Sequence, residues 1–416
     1  MTPATGFQKL RFHADDGSEF PEWNKKKLSE VFSKITRKNV DRKIELVLTN
    51  SAEHGIIPQR EFFDKDIASV ENIDGYYILN PNDFVYNPRK SKAAPYGPFQ
   101  CYYGEIPGVV SPLYTCLHPI TKDCSQYLMR YFASAAWHRF VYDNGSVGAR
   151  HDRVSMTDDI LFNIPVEIPC LEEQQKIADF LSAYDKKIFL QKERVETLKE
   201  QKKGLLQKMF PKKGETVPEL RFPGFTGDWE QRKAIDIADY SKGNGYSKGD
   251  LTDAGTPIIL YGRLYTKYQF AISEVDTFAV PRNGAVYSQG NEVIVPASGE
   301  TAEDIARASA VEKSGVLLGG DLNILRPFDF INPLFLALAI SNGEPQKELA
   351  KKAQGKSVVH IHNTDIQEVT IAYPSRTEQD RIVSVFRQLD NLITLHQRKL
   401  ETMQEIKKGL LQQMFV

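Results

Sequence analysis

Three stretches of this sequence resemble catalytic or nucleotide-binding patterns, and each departs from the pattern that it approaches. Residues 350–357, AKKAQGKS, come near the phosphate-binding pattern G-x-x-x-x-G-K-[ST], but Ala350 replaces the first glycine and a lysine-rich, helix-like stretch precedes it. Residues 332–335, NPLF, resemble an amino-methyltransferase motif without its second proline, so a helix start is expected there. The glycine-rich residues 242–249 lack the G-x-G-x-x-G spacing. We therefore expect no catalytic site on this chain.

A different chemistry is available from loops that combine Arg or Lys with amides and aromatic rings. Such loops suit DNA, because cations and amides bind phosphates and Arg, Asn or Gln side chains pair with base edges. A solvated surface loop is the competing interpretation for each of them, since Lys and Arg are mostly exposed in any protein. The candidates are Arg37, Lys38, Asn87, Arg89, Lys90, Lys92, Arg150, His151 and Arg153 in the first half of the chain, and Lys242, Asn244, Tyr246, Lys248, Tyr261, Arg263, Ser298, Lys356, Ser357, His360 and His362 in the second.

Composition is typical of a globular protein with two or more domains: 416 residues, of which 41% are hydrophobic and 26% charged. The sequence has no apolar run of about 18 residues and no signal-peptide pattern, so we expect a cytoplasmic protein without a membrane partner. Its four cysteines show no C-x-x-C spacing, and the histidine pair His360 and His362 has no further ligand nearby. Neither a metal site nor a disulfide framework is expected.

The net charge of −1 conceals an uneven distribution. Basic side chains outnumber acidic ones by 11 to 7 in residues 172–213 and by 7 to 5 in residues 375–416. Acidic side chains outnumber basic ones by 21 to 20 in residues 1–171 and by 21 to 15 in residues 214–374. DNA-binding domains usually carry a basic surplus, so contact with DNA would have to come from local basic loops.

The elements that must position these loops are revealed by a duplication. KKGLLQKMF (residues 202–210) returns as KKGLLQQMF (residues 407–415), and residues 172–210 match residues 377–415 at 17 of 39 positions. Apolar residues in each copy alternate at spacings of four and three, which predicts a long helix with a heptad seam. The seam residues are Ile177, Leu181, Tyr184, Ile188, Val195, Leu198, Leu205 and Met209 in the first copy, and Ile382, Phe386, Leu389, Ile393, Leu400, Met403, Leu410 and Met414 in the second.

The two predicted helices, residues 172–213 and 375–416, flank residues 214–374. An antiparallel pair would bring both ends of that segment together, as is common for a domain. Full overlap places Lys202 opposite Leu389 and Lys407 opposite Tyr184, where an ammonium group could reach water. Residues 1–171 and 214–374 mix short strands with helices, so we expect two α+β or α/β domains that share a layout more than a sequence.

The duplicated features together resemble the specificity subunit of type I restriction-modification enzymes over essentially the whole chain. The resemblance rests on the Glu-Gln pair that opens each helix (Glu173-Gln174 and Glu378-Gln379), on the KKGLLQ-MF ends, and on the linker LRFPGFTGDW at residues 220–229. It implies an α+β fold with two target recognition domains separated by a long antiparallel two-helix coiled coil, in a pseudo-twofold, circular internal repeat.

The resemblance also implies a function and a set of partners. Each recognition domain would read half of a bipartite double-stranded DNA target, and the helices would set the spacer and dock two methyltransferase subunits. With two restriction/motor subunits, the complex would direct adenine methylation and ATP-dependent cleavage. This non-catalytic chain would bind no cofactor, since S-adenosylmethionine, ATP and Mg belong to the partners. Half-sites about 34–36 Å apart would suit such a ruler. The alternative is a coiled-coil scaffold with two protein- or carbohydrate-binding domains.

Two roles remain open for the repeated KKGLLQ-MF ends. They could pack the end of the coil, or they could dock one methyltransferase copy per half. The polar Lys-Lys-Gly at residues 202–204 and 407–409 favours docking.

Overall fold

The structure, a computed structural model, describes residues 9–62, 73–147, 152–355 and 358–415. The chain forms two compact units, residues 1–191 with 399–416 and residues 192–398. We refer to them as unit 1 and unit 2.

Unit 1 consists mainly of short strands in its first part and mainly of helices, with a few further short strands, in its last part. Its elements are β1 Asn24–Lys27, α1 Leu28–Val31, β2 Phe32–Lys34, β3 Val47–Ser51, β4 Gly55–Pro58, α2 Gln59–Phe62, β5 Tyr77–Leu79, β6 Phe84–Tyr86, β7 Phe99–Cys101, β8 Gly108–Val110, β9 Thr115–Pro119, α3 Ser125–Ala133, α4 His138–Asn144, β10 Ser146–Val147, β11 Val154–Ser155, α5 Asp158–Phe162, β12 Pro165–Ile168 and the first part of α6 Leu171–Met209.

Unit 2 repeats this order with additional strands. Its elements are the end of α6, β13 Glu230–Lys233, β14 Ala238–Lys242, β15 Leu251–Thr252, β16 Thr256–Ile259, α7 Arg263–Thr266, β17 Ala271–Ile272, β18 Phe278–Ala279, β19 Tyr287–Gln289, β20 Glu292–Pro296, β21 Ser298–Gly299, α8 Ala302–Ile305, β22 Ser309–Val311, β23 Ser314–Leu318, β24 Leu322–Pro327, α9 Pro333–Ile340, α10 Gly343–Lys352, β25 Val359–His360, α11 Asn363–Gln367, β26 Thr370–Tyr373 and the first part of α12 Arg376–Phe415. The end of α12 belongs to unit 1.

The two units share a sheet topology. One sheet has the strand order β2-β9-β6-β7 in unit 1 and β14-β24-β20-β22-β17 in unit 2. A second sheet, β4-β3-β8-β5 or β15-β18-β16-β23-β19, contains one parallel pair in each unit, β3 with β8 and β16 with β23. A two-stranded ribbon, β1 with β12 or β13 with β26, precedes each long helix. The predicted α+β class and internal repeat are thus confirmed.

The helix that packs on each first sheet begins where the sequence indicates. In unit 2 the Asn332 side chain accepts hydrogen bonds from the backbone N–H groups of Leu334 and Phe335, and Pro333 occupies the first helical position of α9. The expectation of a helix start at NPLF is confirmed. The rest of α9, FLALAI, is buried because the helix enters the core of unit 2.

The long helices pair antiparallel within each unit. In unit 1, Ile177 near the start of α6 shares a core with Met414 near the end of α12. In unit 2, Ile382 and Phe386 near the start of α12 share a core with Met209 near the end of α6. Every residue of the predicted heptad seam is described, and each is buried or half-buried.

The lysines inside the seam form ion pairs that the sequence interpretation did not include. Lys202 Nζ lies 2.5 Å from Asp390 Oδ1 in unit 2, and Lys407 Nζ lies 2.6 Å from Asp185 Oδ1 in unit 1. Each lysine therefore meets the residue one position beyond the one that full overlap predicts. An aspartate on the opposite helix holds each ammonium group, while the two lysine side chains remain 19% and 28% exposed.

The sequence Leu-Arg-Phe occurs at residues 10–12 and again at residues 220–222. Its arginine makes the same contact with the glutamate of a Glu-Gln pair in both units. Arg11 Nη2 lies 2.8 Å from Glu173 Oε2, and Arg221 Nη2 lies 2.8 Å from Glu378 Oε2. The two carboxylates are 0% and 1% exposed. A carboxylate at such a site needs a paired cation, because its desolvation would otherwise be very costly. The motif residues therefore join each linker to the start of a long helix.

The glutamine of each Glu-Gln pair joins the same helix start to the domain core. Gln174 Oε1 accepts the backbone N–H of Cys124, and Gln379 Oε1 accepts that of Asn332, each at 2.8 Å. Cys124 and Asn332 precede α3 and α9, so each glutamine satisfies a backbone donor at a helix N-terminus.

The repeated ends KKGLLQ-MF contribute their last residues to the two cores. Phe415 packs on Trp23 and Tyr127, with ring centroids 6.2 and 5.7 Å apart. Phe210 packs on Trp229 and Phe335 at 5.9 and 5.5 Å. The Met-Phe ends are therefore packing residues, whereas the second lysine of each repeat is exposed.

Candidate nucleic-acid interface

In unit 1 two basic segments meet at one end of the first sheet. The loop after β6 contains Arg89 and Lys90, and the segment that enters β11 contains Arg153. Lys90 N–H donates to the Asp152 carbonyl at 2.8 Å, and Arg89 forms an isolated β-bridge with Arg153. The fold thus places three of the candidate cations side by side.

The charged side chains at this end of the first sheet have few hydrogen-bond or ion-pair partners within the protein. The Arg89 side chain is 71% exposed, and its Nε lies 3.9 Å from Asp152, which is a weak contact. Lys92 is exposed in the same loop. Arg153 Nε is buried and has no hydrogen-bond partner among the described residues. A buried donor without a partner costs free energy, so an incoming phosphate or base edge would be favoured here.

In unit 2 the corresponding edge carries Ser298 and His360. These residues pair across β21 and β25, and Ser298 Oγ lies 3.1 Å from His360 Nδ1. Ser298 is 8% exposed, whereas His360 is exposed. The Ile361 N–H donates to the Ala297 carbonyl at 3.1 Å, which fixes the two segments to each other.

A second basic loop of unit 2 reaches the same edge. The Asn363 side-chain amide donates to the Ser241 carbonyl at 3.0 Å, next to Lys242. Gly243 N–H donates to the Leu322 carbonyl at 2.9 Å, and a Cβ at Gly243 would lie only 1.9 Å from a backbone oxygen. Only glycine permits this approach, which leaves Lys242 and Asn244 exposed beside it.

The two edges occupy equivalent places in the shared topology. In unit 1 the loop after β6 meets the segment between α4 and α5, and in unit 2 the segment after β20 meets the one between α10 and α11. Strands β6 and β20 hold the same position in their sheets. The same corner of each unit thus presents a different set of side chains, a pattern that suits two readers with different targets.

Comparison with known proteins identifies the family. The sequence model of the type I restriction modification DNA specificity domain matches residues 21–200 and again residues 226–405. The chain belongs to this family.

Relatives within the family are distant in sequence and similar in fold. The specificity subunit of the type I restriction enzyme MjaVIII from Methanocaldococcus jannaschii is 22% identical over 263 residues. That match spans 61% of this chain and 61% of the relative. A solved structure from work on assembly and conformational transition of the type I R-M system has a TM-score of 0.58 at 15% identity, over 95% of this chain and 98% of that chain. The S subunit from M. genitalium has a TM-score of 0.54 at 12% identity, over 99% of both chains.

Several of the predicted contact residues have structural partners instead. Arg263 is only 8% exposed, and its guanidinium donates to Asp276 at 2.6 Å and to Gln269 at 3.1 Å. Tyr246 is 7% exposed, and its hydroxyl accepts the Arg282 N–H at 2.8 Å. Both side chains hold loops of unit 2 in this structure, and Arg263 Nε, like Arg153 Nε, is buried without a hydrogen-bond partner among the described residues.

The remaining candidates of unit 1 divide between structure and surface. The Asn87 amide shapes its own loop, since Oδ1 accepts the Arg89 N–H at 3.0 Å and Nδ2 donates to the Asn50 carbonyl at 3.2 Å. Arg37 and Lys38 are exposed on the chain that runs beside β5, with the Lys38 ammonium 6.0 Å from the Tyr77 ring. No described contact joins them to the Arg89 edge.

In unit 2, Lys248, Tyr261 and His362 are exposed. His362 also begins α11, where its N–H donates to Asp365 at 2.7 Å. The candidates Arg150, His151, Lys356 and Ser357 lie outside the described residues.

One cation that the sequence interpretation omitted belongs beside the loop of residues 242–250. Arg282 is 54% exposed, lies 5.2 Å from the Tyr246 ring, and bonds to Asp250. The Ser247 backbone N–H and Arg282 hold the pKa of Asp250 at about 2, so the pair is charged at neutral pH. Its sequence signal was the turn PRNG at residues 281–284, which has the same Arg-amide composition as the other candidate loops.

The described residues offer no group of His, Cys, Asp and Glu side chains that could hold a metal ion. The four cysteines are free, and burial raises the pKa of Cys101 and of Cys116 to about 12. No helix within the described ranges is long and apolar enough to cross a membrane.

Proposed function

We propose that each unit of this family member reads one half of a bipartite double-stranded DNA target. The recognition domains are residues 1–171 and 214–374, and residues 172–213 and 375–416 form the long helices. The observation that carries the proposal is the equivalent placement of an open polar edge in both units. Arg89, Lys90 and Arg153 form one edge, and Lys242 and His360 belong to the other.

The different composition of the two edges supports two unrelated half-sites. Arginine donates two parallel hydrogen bonds to guanine in the major groove, whereas serine and histidine suit other base edges. Lysines nearby would bind phosphates and position each unit without reading sequence.

The chain itself would be non-catalytic and would act in the cytoplasm. It would direct adenine methylation by two methyltransferase subunits and ATP-dependent cleavage by two restriction/motor subunits. S-adenosylmethionine, ATP and Mg would bind those partners. The α6 segment of unit 1 supports such assembly, because Phe180, Phe189 and Leu190 are 38%, 59% and 56% exposed. Contiguous exposed apolar patches mark protein interfaces, and Phe189 and Leu190 are neighbours in the sequence.

Co-expression with a methyltransferase subunit, followed by sequencing of methylated adenines, tests the proposal. We expect one motif made of two defined half-sites separated by unread bases. Methylation at a single continuous motif would contradict it.

A further inference from the structure

Each unit holds an arginine and an aspartate as an ion pair at a place where two of its loops meet. In unit 1, Arg42 Nη2 lies 3.1 Å from Asp74 Oδ2, and both side chains are about half exposed. In unit 2, the Arg282 guanidinium donates to Asp250 Oδ1. Neither pair belongs to the proposed DNA edges, and the proposed function gives neither arginine a role.

The two pairs lie at equivalent places in the shared topology, with their charges exchanged. One partner belongs to the loop that follows β2 or β14, and the other belongs to the segment that enters β5 or β19. Strands β5 and β19 are equivalent, because each pairs antiparallel with a member of the parallel pair, β8 or β23. The arginine stands in the loop in unit 1 and in the entering segment in unit 2. An ion pair therefore joins the same two segments in both units, whereas its cation comes from opposite partners.

Both loops leave the first sheet at the end that carries the proposed DNA edges. Strands β2 and β6 each pair antiparallel with β9, so they run in the same direction and their following loops emerge at the same end. The same relation holds for β14 and β20, which flank β24. The loop of Arg42 therefore emerges at the same end as that of Arg89, and the loop of Asp250 emerges at the same end as the segment of Ser298.

In unit 2 direct contacts join the turn that contains Arg282 to the proposed edge. The Asn244 side-chain amide donates to the Gly284 carbonyl at 2.9 Å. Arg282 Nη1 donates to the Gly245 carbonyl at 3.4 Å. Both contacts come from the loop that begins directly after Lys242, so the guanidinium lies beside exposed residues of that edge.

Both arginines combine exposure with a fixed position. The side chains of Arg42 and Arg282 are 48% and 54% exposed, while an aspartate holds each of them. A side chain that is already held loses less conformational freedom when it binds a ligand. Exposed ion pairs contribute little to stability, so folding alone does not account for a pair at the same place in both units. Arg42 also has a φ of 55°, in the left-handed region that arginine seldom adopts, and such residues cluster at functional sites.

An exposed valine precedes each arginine by two residues. Val40 is 75% exposed and Val280 is 63% exposed. In the major groove, arginine donates to O6 and N7 of guanine, and an apolar side chain contacts the methyl group of thymine. A phosphate offers no apolar contact, so this combination of side chains favours a base edge as the ligand.

We propose that Arg42 and Arg282 are further specificity-determining residues, one for each half-site, and that Asp74 and Asp250 position them. Each arginine donates two hydrogen bonds to a guanine in the major groove, and the aspartate accepts from the remaining N–H groups and fixes the plane of the guanidinium. The inference rests on the proposed function, because it assigns these residues to the same DNA target.

Sequencing of methylated adenines after co-expression with a methyltransferase subunit tests both arginines. Arg42→Ala should relax one base position in the half-site that Arg89→Ala affects. Arg282→Ala should relax one position in the half-site that His360→Ala affects. Replacement of the guanine at that position should weaken DNA binding by the wild-type chain about tenfold, and binding by the variant less than about twofold. Arg42→Lys and Arg282→Lys should behave like the alanine variants, because lysine keeps the charge but lacks two parallel donors.

A second pair of variants tests the positioning role of the aspartate. Asp74→Asn should relax the same base position as Arg42→Ala, to a smaller extent, because the guanidinium remains but loses its ion pair. Asp41→Asn is the matched control, since it makes the same chemical change one residue from Arg42, at an exposed aspartate that pairs with Lys43. It should leave the motif unchanged. Thermal unfolding of every variant should stay close to that of the wild type, because the pairs are exposed.

The possible results separate this inference from the proposed function. A bipartite wild-type motif that the arginine variants leave unchanged would overturn the inference and leave the proposed function standing. A loss of affinity that is equal for all duplexes and is restored by lysine would also overturn it, because a phosphate contact behaves in that way. A continuous wild-type motif would contradict both.

Discussion

At the scale of single residues, Arg89 and Arg263 show that two arginines from similar loops can differ in exposure and in internal partners. Both follow a short strand, and both stand beside polar or aromatic residues in the sequence. Arg89 is 71% exposed with one weak contact, whereas Arg263 is 8% exposed and bonds to Asp276 and Gln269. The number of internal partners therefore distinguishes Arg89, which we propose as a contact residue, from Arg263, which is held by its own unit.

Arg89→Ala should reduce affinity for the cognate DNA. If the guanidinium reads guanine, the loss is about 1–3 kcal/mol and discrimination at one base pair falls. If it binds a phosphate, affinity falls equally for all sequences, and the slope of log affinity against log salt decreases by about one. Fluorescence anisotropy with cognate and altered duplexes at several salt concentrations distinguishes the two.

Arg139→Ala is the control for this experiment. That side chain is 82% exposed, pairs with Asp143 four residues away on α4, and lies 5.7 Å from the centre of the Tyr142 ring. We expect no change in DNA binding, and an equal loss from both variants would remove Arg89 from the interface.

Arg263→Ala should act on stability and not on recognition. The substitution leaves the charge of Asp276 without one of its cations and removes the donor to the Glu274 carbonyl. We expect destabilisation of about 1–3 kcal/mol, as for loss of a buried charged donor. Denaturant unfolding measures it. Unchanged stability together with an altered base preference would contradict this prediction and would indicate that Arg263 contacts DNA.

The candidate site could be predicted from the sequence in part. Composition of the loops sufficed to select Arg89, Lys90, Arg153, Lys242 and His360, which the fold brings to equivalent edges. It could not separate them from Arg263 or Tyr246, because burial of those side chains depends on strands that are distant in the sequence. Arg282 was omitted although its turn, PRNG at residues 281–284, has the same Arg-amide composition as the selected loops.

At the scale of elements, the two Glu-Gln pairs form hydrogen bonds that connect each linker and each domain to the start of a long helix. Glu173 and Glu378 each accept two hydrogen bonds from an arginine of the preceding linker. The neighbouring glutamines each satisfy a backbone donor at the start of α3 or α9. These contacts give the repeated residues a structural role that does not require a ligand.

Glu173→Gln should destabilise unit 1 strongly, because Arg11 would keep its charge beside a neutral partner. Breaking a buried ion pair by removing one partner costs about 3–5 kcal/mol. Glu172→Gln provides the matched control, since it makes the same chemical change one position earlier at an exposed site. Thermal unfolding of both variants measures the difference. Equal unfolding temperatures would show that the pair contributes nothing.

The long helices could be predicted from the sequence, since the duplication fixed their extent and the seam fixed their apolar face. The ion pairs of Lys202 and Lys407 could not, because they depend on how each lysine side chain reaches the aspartate next to the residue opposite it. Most strands have between two and five residues, too few for a periodic signal. Strand β17, with two residues, is the clearest case.

At the scale of the whole molecule, the near-zero net charge is compatible with DNA recognition because basic groups are concentrated at particular edges. Acidic side chains elsewhere limit nonspecific attraction to the DNA backbone, which depends on the number of phosphates neutralised. Specific contacts at two edges, together with partner subunits, would then determine where the protein binds.

The central claim is that each unit reads its own half-site. Sequencing of methylated adenines after co-expression with a methyltransferase subunit tests it most directly when wild type is compared with Arg89→Ala and His360→Ala. We predict a bipartite motif for the wild type, relaxed only in one half by Arg89→Ala and only in the other half by His360→Ala. A continuous motif, or relaxation of the same half by both variants, would contradict the claim.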